Sequence, residues 1–342
     1  MNHNQKALRT SALVIVGALL LRLLLGIFLG DGSSIFSYPR LASFLVSSQT
    51  GRDPVIQSPT TEPTDPTTAP TEPSSEPTQP TEPPVPPINV ERPTFTADEA
   101  GLINVNYGTR LRPDLKELLL QKLEWDLTGD EPTVLILHTH GTEAFTPTAE
   151  RPYEEYGGEY RTKDERYNMI SIGDELTRLL TERGLTVLHD RTPHDLNDYN
   201  DAYENSRAAV QAYLQQYPSI KMILDVHRDA AEYSDGTQWA TSATINGQPA
   251  AQVMLVVGSS ASESHPNWKT NLSLAEKLYL SIHRTCAGVE RPINLRAKIY
   301  NQDLSTGSLI VEVGSTGNTH EEAMRALPVL SEAIISLVYG AN

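Results

Sequence analysis

The sequence of 342 residues contains a single cysteine, Cys286. One cysteine cannot form an intramolecular disulfide, and it excludes the cysteine-rich zinc and iron–sulfur modules. Cys286 stands in a helical pattern, which favours an inert, buried or half-buried thiol over a catalytic one. Positive charge is also scarce, because 27 lysines and arginines against 43 acidic residues give a net charge of −16. Without a dense basic cluster to neutralise a run of phosphates, a nucleic-acid surface is excluded.

An apolar run near the N-terminus, residues 11–30, is broken only by Arg22 and follows Lys6 and Arg9. Its length of about twenty residues matches a membrane-spanning helix, whereas a cleaved signal peptide would have a shorter core and a small-residue cleavage site. We expect an uncleaved single-pass anchor, in which snorkelling or helix tilt relieves the cost of Arg22. The positive flank predicts that residues 1–10 are cytoplasmic and that everything after the anchor is outside.

Residues 31–94 are rich in proline, threonine and glutamate, with imperfect repeats that begin at Thr61, Thr71 and Thr81. Such a composition buries little apolar surface, so we expect a disordered, semi-stiff spacer with polyproline character. The simplest use of this linker is to hold a folded domain away from a membrane. A proline-motif ligand for another domain is the alternative.

The remaining chain alternates between strand and helical patterns. Residues 95–130 are expected to form a connector with a packing helix over 113–125. From 131 to 342 we predict strands at 134–137, 185–188, 220–226 and 309–313, and helices at 168–183, 203–217, 272–286 and 321–339, with Gly184 after the first helix. Asn246-Gly247 predicts a hairpin between 240–245 and 250–257. This alternation predicts an α/β domain with a mostly parallel sheet covered on both faces.

Residues that can bind a metal collect at the ends of these predicted strands. His140 and Glu143 follow the first strand, separated by a turn at Gly141, and His227 follows the strand over 220–226. Because ligands bind where parallel strands end, the side chains are expected to converge there. Two histidines, one carboxylate and an open water position are typical of catalytic zinc. Taken alone, the cluster around His140 and Glu143 is more typical of polar loop groups, and His227 is equally compatible with a capped histidine.

Several roles stay open at this level. His138 is a rival for His140, because strand alternation is expected to send both side chains to the same face. Asp225 and Asp229 are placed to accept a proton from the other nitrogen of His227. Glu312, inside an apolar strand, is the predicted general base, since burial raises a carboxyl pKa.

Three further side chains are candidates for contacts with a substrate. Arg228 either stabilises an oxyanion or a substrate carboxylate, or pairs with Asp229 or another acid nearby. Trp268 and Tyr300 could line a substrate groove, with core packing the favoured role for Trp268.

A set of motifs in order carries a resemblance to a known family. They are His138-Thr-His-Gly-Thr-Glu143, Tyr167-Asn-Met-Ile-Ser-Ile-Gly-Asp-Glu-Leu176, His189-Asp190, His194-Asp195 with Tyr199-Asn-Asp-Ala-Tyr203, Asp225-Val-His-Arg-Asp-Ala230, His265-Pro-Asn-Trp268, Tyr300-Asn-Gln-Asp-Leu304 and Ile310-Val-Glu-Val-Gly314. Over residues 133–342 the chain resembles the stage II sporulation protein P family, membrane-anchored peptidoglycan hydrolases of endospore-forming bacteria. The resemblance implies a three-layer phosphorylase/hydrolase-like fold and a Zn²⁺-dependent N-acetylmuramoyl-L-alanine amidase at 131–342.

Carried onto this sequence, the resemblance implies His140 and His227 as metal ligands and Glu312 as the catalytic glutamate. The spacing from His140 to Glu143 is similar to the His-x-x-Glu pair of zinc carboxypeptidases, whereas related amidases take a glutamate from the start of the next helix, where Glu165 lies. We predict Glu143 as the carboxylate ligand, with Glu165 as the alternative.

The resemblance also implies a biological setting. It places the catalytic domain in the septal intermembrane space, acting on peptidoglycan during engulfment, with stage II sporulation proteins D and M as partners. The alternative functions are a zinc endopeptidase or carboxypeptidase on stem peptides and a cell-wall-binding domain without catalytic activity.

Overall fold

A computed structural model describes residues 94–339 except 125, 159, 231 and 234. The predicted cytoplasmic N-terminus (1–10), anchor (11–30) and linker (31–94, apart from its last residue) lie outside the described residues. Within 94–339, no helix combines the length and apolar character needed to cross a bilayer.

The described residues contain nine strands. They are β1 (Val105–Gly108), β2 (Val134–Leu137), β3 (Val187–His189), β4 (Met222–Asp229), β5 (Ala243–Ile245), β6 (Gln248–Ala250), β7 (Val253–Val257), β8 (Ile293–Arg296) and β9 (Ser308–Ser315). Seven of them form one sheet in the order β1-β8-β7-β9-β4-β2-β3, while β5 and β6 form a separate hairpin. Neighbouring strands of the large sheet are parallel except β7 and β9. β2, β4 and β9 therefore end at the same edge.

Five α-helices accompany the sheet in the described part of the chain: α1 (Leu115–Leu120), α2 (Met169–Glu182), α3 (Ala202–Gln216), α4 (Trp268–Thr285) and α5 (His320–Tyr339). The Asn168 side chain accepts a hydrogen bond from the backbone N–H of Ile170 at 3.0 Å and so caps α2. Gly184 follows α2 with φ +89°, the left-handed conformation typical of a helix end.

The apolar side chains of the central strands alternate between two faces. Ile136, Val226 and Val311 pack with α1, α2, α4 and α5, whereas Leu135 and Ile223 pack against Val210 of α3. The sheet is thus covered on both sides, and the predicted α/β class with a mostly parallel sheet is confirmed.

Some local predictions were confirmed and others need correction. The hairpin turns at Asn246 and Gly247, which both have positive φ (52° and 76°), as a type I′ turn requires. Its predicted second strand, 250–257, was wrong, because β5 pairs with β6 (Gln248–Ala250) and Val253–Val257 forms β7 of the large sheet. Cys286 is a half-buried free thiol. The stretch 95–130, expected to be a connector and packing helix, supplies β1, which pairs with β8; neither strand was predicted. Its helix is only the six residues of α1.

A buried carboxyl group in α4 provides a test of the core. Glu276 is 0 % exposed, and neither carboxyl oxygen has a hydrogen-bond partner among the described residues. Burial raises the pKa of Glu276 to about 9, with Asp114 adding to the shift and Lys277 opposing it. The folded protein therefore keeps a proton here that the unfolded chain releases above about pH 4.5.

We expect Glu276→Gln to stabilise the protein increasingly as pH rises from about 4.5 to about 9. Glutamine needs no proton to stay neutral, so the gain should reach about 2–4 kcal/mol at pH 8 and vanish near pH 4.5. Urea unfolding across this pH range measures the difference. Glu117→Gln, at an exposed position of α1, is the matched control; a gain from Glu276→Gln that does not change with pH would contradict the burial argument.

Candidate active site

The predicted metal and catalytic residues come together at the edge where β2, β4 and β9 end. His227 of β4 and Glu312 of β9 are directly opposite each other in the parallel pairing. The His140 and His227 rings are 5.5 Å apart at their centroids, and His227 Nδ1 lies 3.3 Å from Glu143 Oε2. His140, Glu143 and His227 are each no more than 6 % exposed. The sheet therefore gathers residues that are up to 172 positions apart in the sequence (312 − 140).

His227 lies between two carboxylates. Its Nε2 is 2.8 Å from Asp225 Oδ1, on the side opposite to Glu143. Burial by itself would lower the pKa of His227, but Asp225 and Glu143 outweigh it and hold that pKa well above its usual value. Asp225 is in turn fixed by the backbone N–H (2.7 Å) and the hydroxyl (2.6 Å) of Thr139. The predicted orienting acid is thus Asp225, while Asp229 pairs with Arg291 at 2.9 Å.

The structure separates the two candidates for the carboxylate ligand. Glu143 is buried beside His227, and although burial raises its pKa, Arg228 and His227 lower it further, to about 2. Glu165 instead forms an ion pair with Arg191 at the surface, and its side chain is 53 % exposed. Glu143 is the one that the fold brings to the histidines.

The two histidines after β2 have different surroundings. His140 Nδ1 is buried without a hydrogen-bond partner in the described residues, 3.8 Å from Asp195 Oδ2. His138 has both nitrogens occupied, with Nδ1 2.8 Å from the Val226 carbonyl oxygen and Nε2 2.9 Å from His189 Nε2. The expectation that strand alternation gives them a common face was wrong, because β2 ends at Leu137. Of these two histidines, only His140 has a buried ring nitrogen without a hydrogen-bond partner in the described chain.

The contact between His138 and His189 is possible because the residue of helix α2 that lies against both rings is Gly173, which has no side chain. A Cβ atom on Gly173 would lie 2.3 Å from His138 Nε2 and 2.4 Å from His189 Nε2. Alanine is the better helix former, but the clash outweighs that gain. We expect Gly173→Ala to lower the free energy of unfolding by about 1–3 kcal/mol, measured by urea denaturation. Gly101→Ala, where a Cβ would meet nothing within 4 Å, is the control; equal stability of both variants would contradict the packing.

Glu312 has the environment expected of a general base. Its Oε2 is buried and has no hydrogen-bond partner within the described chain. Burial raises the pKa of Glu312 to about 8; Asp229 and Glu143 raise it as well, while His227 and Arg228 lower it. A carboxyl group with this pKa accepts and returns a proton near neutral pH. The structure therefore agrees with the prediction that burial raises the pKa of Glu312.

The donor types of the cluster fit zinc, although the side chains are not arranged around an ion. Among residues 94–339, no group of three or more His, Cys, Asp or Glu side chains is positioned as a metal site. His140 Nδ1 and His227 Nε2 are both buried without a hydrogen-bond partner in the described chain, although Asp225 Oδ1 lies 2.8 Å from His227 Nε2 as an ion-pair neighbour. Ligation by His140, Glu143 and His227 would require His227 Nδ1 to lose its proton and the three groups to adjust.

Arg228 is a buried side chain that contacts Glu143 and the backbone next to it. Its side chain is 2 % exposed, with Nη1 3.6 Å from Glu143 Oε1. Nε donates to the Ala144 carbonyl at 2.9 Å, and Nη2 donates to the Tyr160 carbonyl at 3.3 Å. Of its two predicted roles, this geometry supports the ion pair, with Glu143 rather than Asp229 as the partner.

Aromatic side chains form the outer part of the site. Tyr199, 50 % exposed, stacks on His140 at 4.3 Å, and Tyr203 meets the same imidazole edge-on at 5.7 Å. Tyr300 is half-buried, 5.8 Å from Tyr203, whereas Trp268 belongs to the main core, as favoured. Tyr199 and Tyr203 were not predicted as site residues, although both belong to the motif Tyr199-Asn-Asp-Ala-Tyr203.

A family model and a sequence relative both match this chain. The family model described as Stage II sporulation protein P matches residues 51–335. Stage II sporulation protein P of Bacillus subtilis (strain 168) is 27 % identical over 226 residues, which cover 63 % of this chain and 53 % of that protein. The chain thus spans about half the length of this relative.

Solved structures of N-acetylmuramoyl-L-alanine amidases were also matched. AmiC2 of Nostoc punctiforme is 12 % identical, with a TM-score of 0.36 over 61 % of this chain and 97 % of that one. The amidase of Clostridium difficile 630 is 16 % identical, with a TM-score of 0.37 over 61 % and 96 %. Ami1 of Mycobacterium smegmatis is 13 % identical, with a TM-score of 0.37 over 62 % and 98 %.

Proposed function

The chain belongs to the stage II sporulation protein P family, and on that basis we propose that it is a peptidoglycan hydrolase acting in sporulation. The reaction that we propose is Zn²⁺-dependent cleavage of the amide between N-acetylmuramic acid and the L-alanine of the stem peptide. The observation that carries the proposal is the buried, partnerless Oε2 of the half-buried Glu312 directly opposite His227, which lies 3.3 Å from Glu143.

The residues of the site divide the work between them. His140, Glu143 and His227 would hold the zinc, whose Lewis acidity would polarise the scissile carbonyl and acidify water. Glu312 takes a proton from the attacking water and then gives it to the leaving amine, since its raised pKa makes both transfers possible. Asp225, whose Oδ1 lies 2.8 Å from His227 Nε2, would orient the His227 ring. Arg228 fixes Glu143 and the backbone around it.

Purified peptidoglycan provides the test of this function. The full chain, kept soluble in a nonionic detergent, is expected to release stem peptides that begin with L-alanine and to leave an intact lactyl group on the glycan. A chelator should stop the release and added zinc should restore it. Mass spectrometry of the products separates this cut from a peptide–peptide cut, which would identify an endopeptidase or carboxypeptidase. No release at all would leave only wall binding.

The setting of the activity is also a proposal. The apolar run at 11–30 and the family membership support a single-pass anchor, an extracytoplasmic catalytic domain, and stage II sporulation proteins D and M as partners. Membrane fractionation with and without residues 1–30, and co-purification with each partner, test these points. A chain that sediments with membranes after that deletion would contradict the anchor.

A further inference from the structure

The side chain of Arg161 lies beside the candidate active site with its hydrogen-bonding capacity unused. The side chain is 14 % exposed, and Nε is buried without a partner among the described residues. Glu143 Oε1, its ion-pair partner, is 4.0 Å from Nη2, which is too long for a hydrogen bond. A buried N–H donor without an acceptor costs free energy. An added acceptor would remove that cost.

Glu143 does not need Arg161 for its own neutralisation. Arg228 Nη1 lies closer to it, at 3.6 Å, and the backbone N–H of Arg228 donates to Glu143 Oε2 at 3.4 Å. His227 Nδ1 lies 3.3 Å from the same oxygen. Arg161 is therefore a second guanidinium beside a carboxylate that already pairs with Arg228, and it is more exposed than Arg228, whose side chain is 2 % exposed.

Tyr199 holds this guanidinium next to His140. The Arg161 Cζ atom is 4.1 Å from the centroid of the Tyr199 ring, and the same ring stacks on His140 with an angle of 16° between the planes. Stacking engages the flat face of a guanidinium and leaves the N–H groups along its edge free. Those N–H groups match a carboxylate in a bidentate arrangement.

We propose that Arg161, supported by Tyr199, binds a free carboxylate on the peptide part of the substrate and so selects stem peptides that carry this charge near the scissile bond. The inference rests on the proposed function, because it assumes that a peptide occupies the site. Its chemistry is specific: an amidated peptide offers one neutral acceptor instead of two charged oxygens, and it loses the bidentate pair.

The first test measures hydrolysis of two synthetic substrates by the full chain. One is an N-acetylmuramoyl tripeptide with free peptide carboxylates, and the other is the same compound with these carboxylates amidated. Arg161→Met is expected to lower kcat/KM about tenfold to a hundredfold for the first and less than about threefold for the second. Arg161→Lys should recover part of the loss, because lysine keeps the positive charge but lacks the paired N–H donors of the guanidinium. Equal losses on both substrates would overturn the inference and leave Arg161 as a structural support of Glu143.

The matched control removes another arginine that lies over a tyrosine. Arg166 is 75 % exposed, pairs with Asp164, and has its Cζ 5.1 Å from the Tyr167 ring centroid. Arg166→Met is expected to leave both substrates unaffected. A preference for the free carboxylate that weakened as much in Arg166→Met as in Arg161→Met would show a general charge effect and would also overturn the inference.

A second test does not depend on catalysis. Isothermal titration calorimetry in chelator compares binding of the free tripeptide and its amidated form to the full chain. The wild type is expected to bind the free carboxylate form about tenfold or more tightly, and Arg161→Met should remove this difference. If neither muramoyl substrate is cleaved but this binding difference is found, the amidase proposal fails while the carboxylate site stands. If both substrates are cleaved but no binding preference is found, the amidase proposal stands and the carboxylate site is contradicted.

Discussion

Replacing Glu312 by glutamine is expected to lower kcat/KM for stem-peptide release by about a hundredfold to ten-thousandfold, the range that a general acid–base group contributes. Glutamine has nearly the same shape but cannot accept the proton of the attacking water. Because the Glu312 carboxyl has a pKa raised to about 8 and a partnerless buried oxygen, the substitution removes little native interaction. The fold and the bound zinc should therefore be retained.

The measurement combines initial rates on the muramoyl tripeptide with thermal unfolding and zinc content. Glu182→Gln, which changes an exposed carboxylate in α2 that pairs with Arg178, is the matched control and should keep full activity. If Glu312→Gln retained more than about a tenth of the wild-type rate, Glu312 could not be the base.

Zinc affinity should distinguish Glu143 from Glu165. Glu143→Gln is expected to weaken zinc binding by more than the roughly 10–100-fold that loss of an outer-shell partner costs. Asp225→Asn, which alters the acceptor at His227 Nε2, should fall within that range. Glu165→Gln, at the surface beside Arg191, should bind zinc like the wild type. Competition against a chromogenic chelator, with metal analysis after dialysis, gives the three values.

A variant of His140 tests the proposed zinc ligands without replacing Glu143. Glu143 has buried cationic neighbours, so its replacement could disturb the fold. His140→Asn removes a candidate ligand that forms no hydrogen bond through Nδ1 within the described chain, and it should lose zinc with the fold intact. Loss of zinc in Glu165→Gln, or zinc retained by His140→Asn, would contradict the proposed ligand set.

The sequence predicted the elements that have a strong local pattern. Helix α2 has an asparagine cap and a following glycine, and the hairpin has the Asn246-Gly247 turn, so each is specified by neighbouring residues. β1 and β8 lack such signals. Each has only four residues, and their burial alternates at one edge of the sheet, so their pairing with each other and with β7 defines them.

The position of Asp225 shows where a local rule was sufficient, and that of Arg228 shows where it was not. Alternate side chains of a regular strand share a face, so the sequence alone supports Asp225 as the neighbour of His227, as found in the structure. The pairing of β4 with β9 is irregular between His227 and Asp229, so alternation could not have decided whether Arg228 pairs with Asp229.

Arg161 could not have been found in this way. It lies in a segment without helical or strand period, between Glu143 and α2. Its position comes from an isolated antiparallel bridge to Glu143 and from the hydrogen bond that the Thr162 N–H donates to the Thr142 carbonyl at 2.8 Å. Such contacts between distant residues cannot be predicted from the local sequence.

The place of β9 in the sheet determines when the site can first exist during synthesis. β9 lies between β7 and β4, and it is the last strand in the described chain. A chain that emerges N-terminus first presents His140, Glu143 and His227 long before Glu312, and β7 and β4 each keep one edge unpaired until residues 308–315 arrive. Wall-cutting activity, as proposed, is therefore withheld from every nascent or truncated chain that stops short of its final strand.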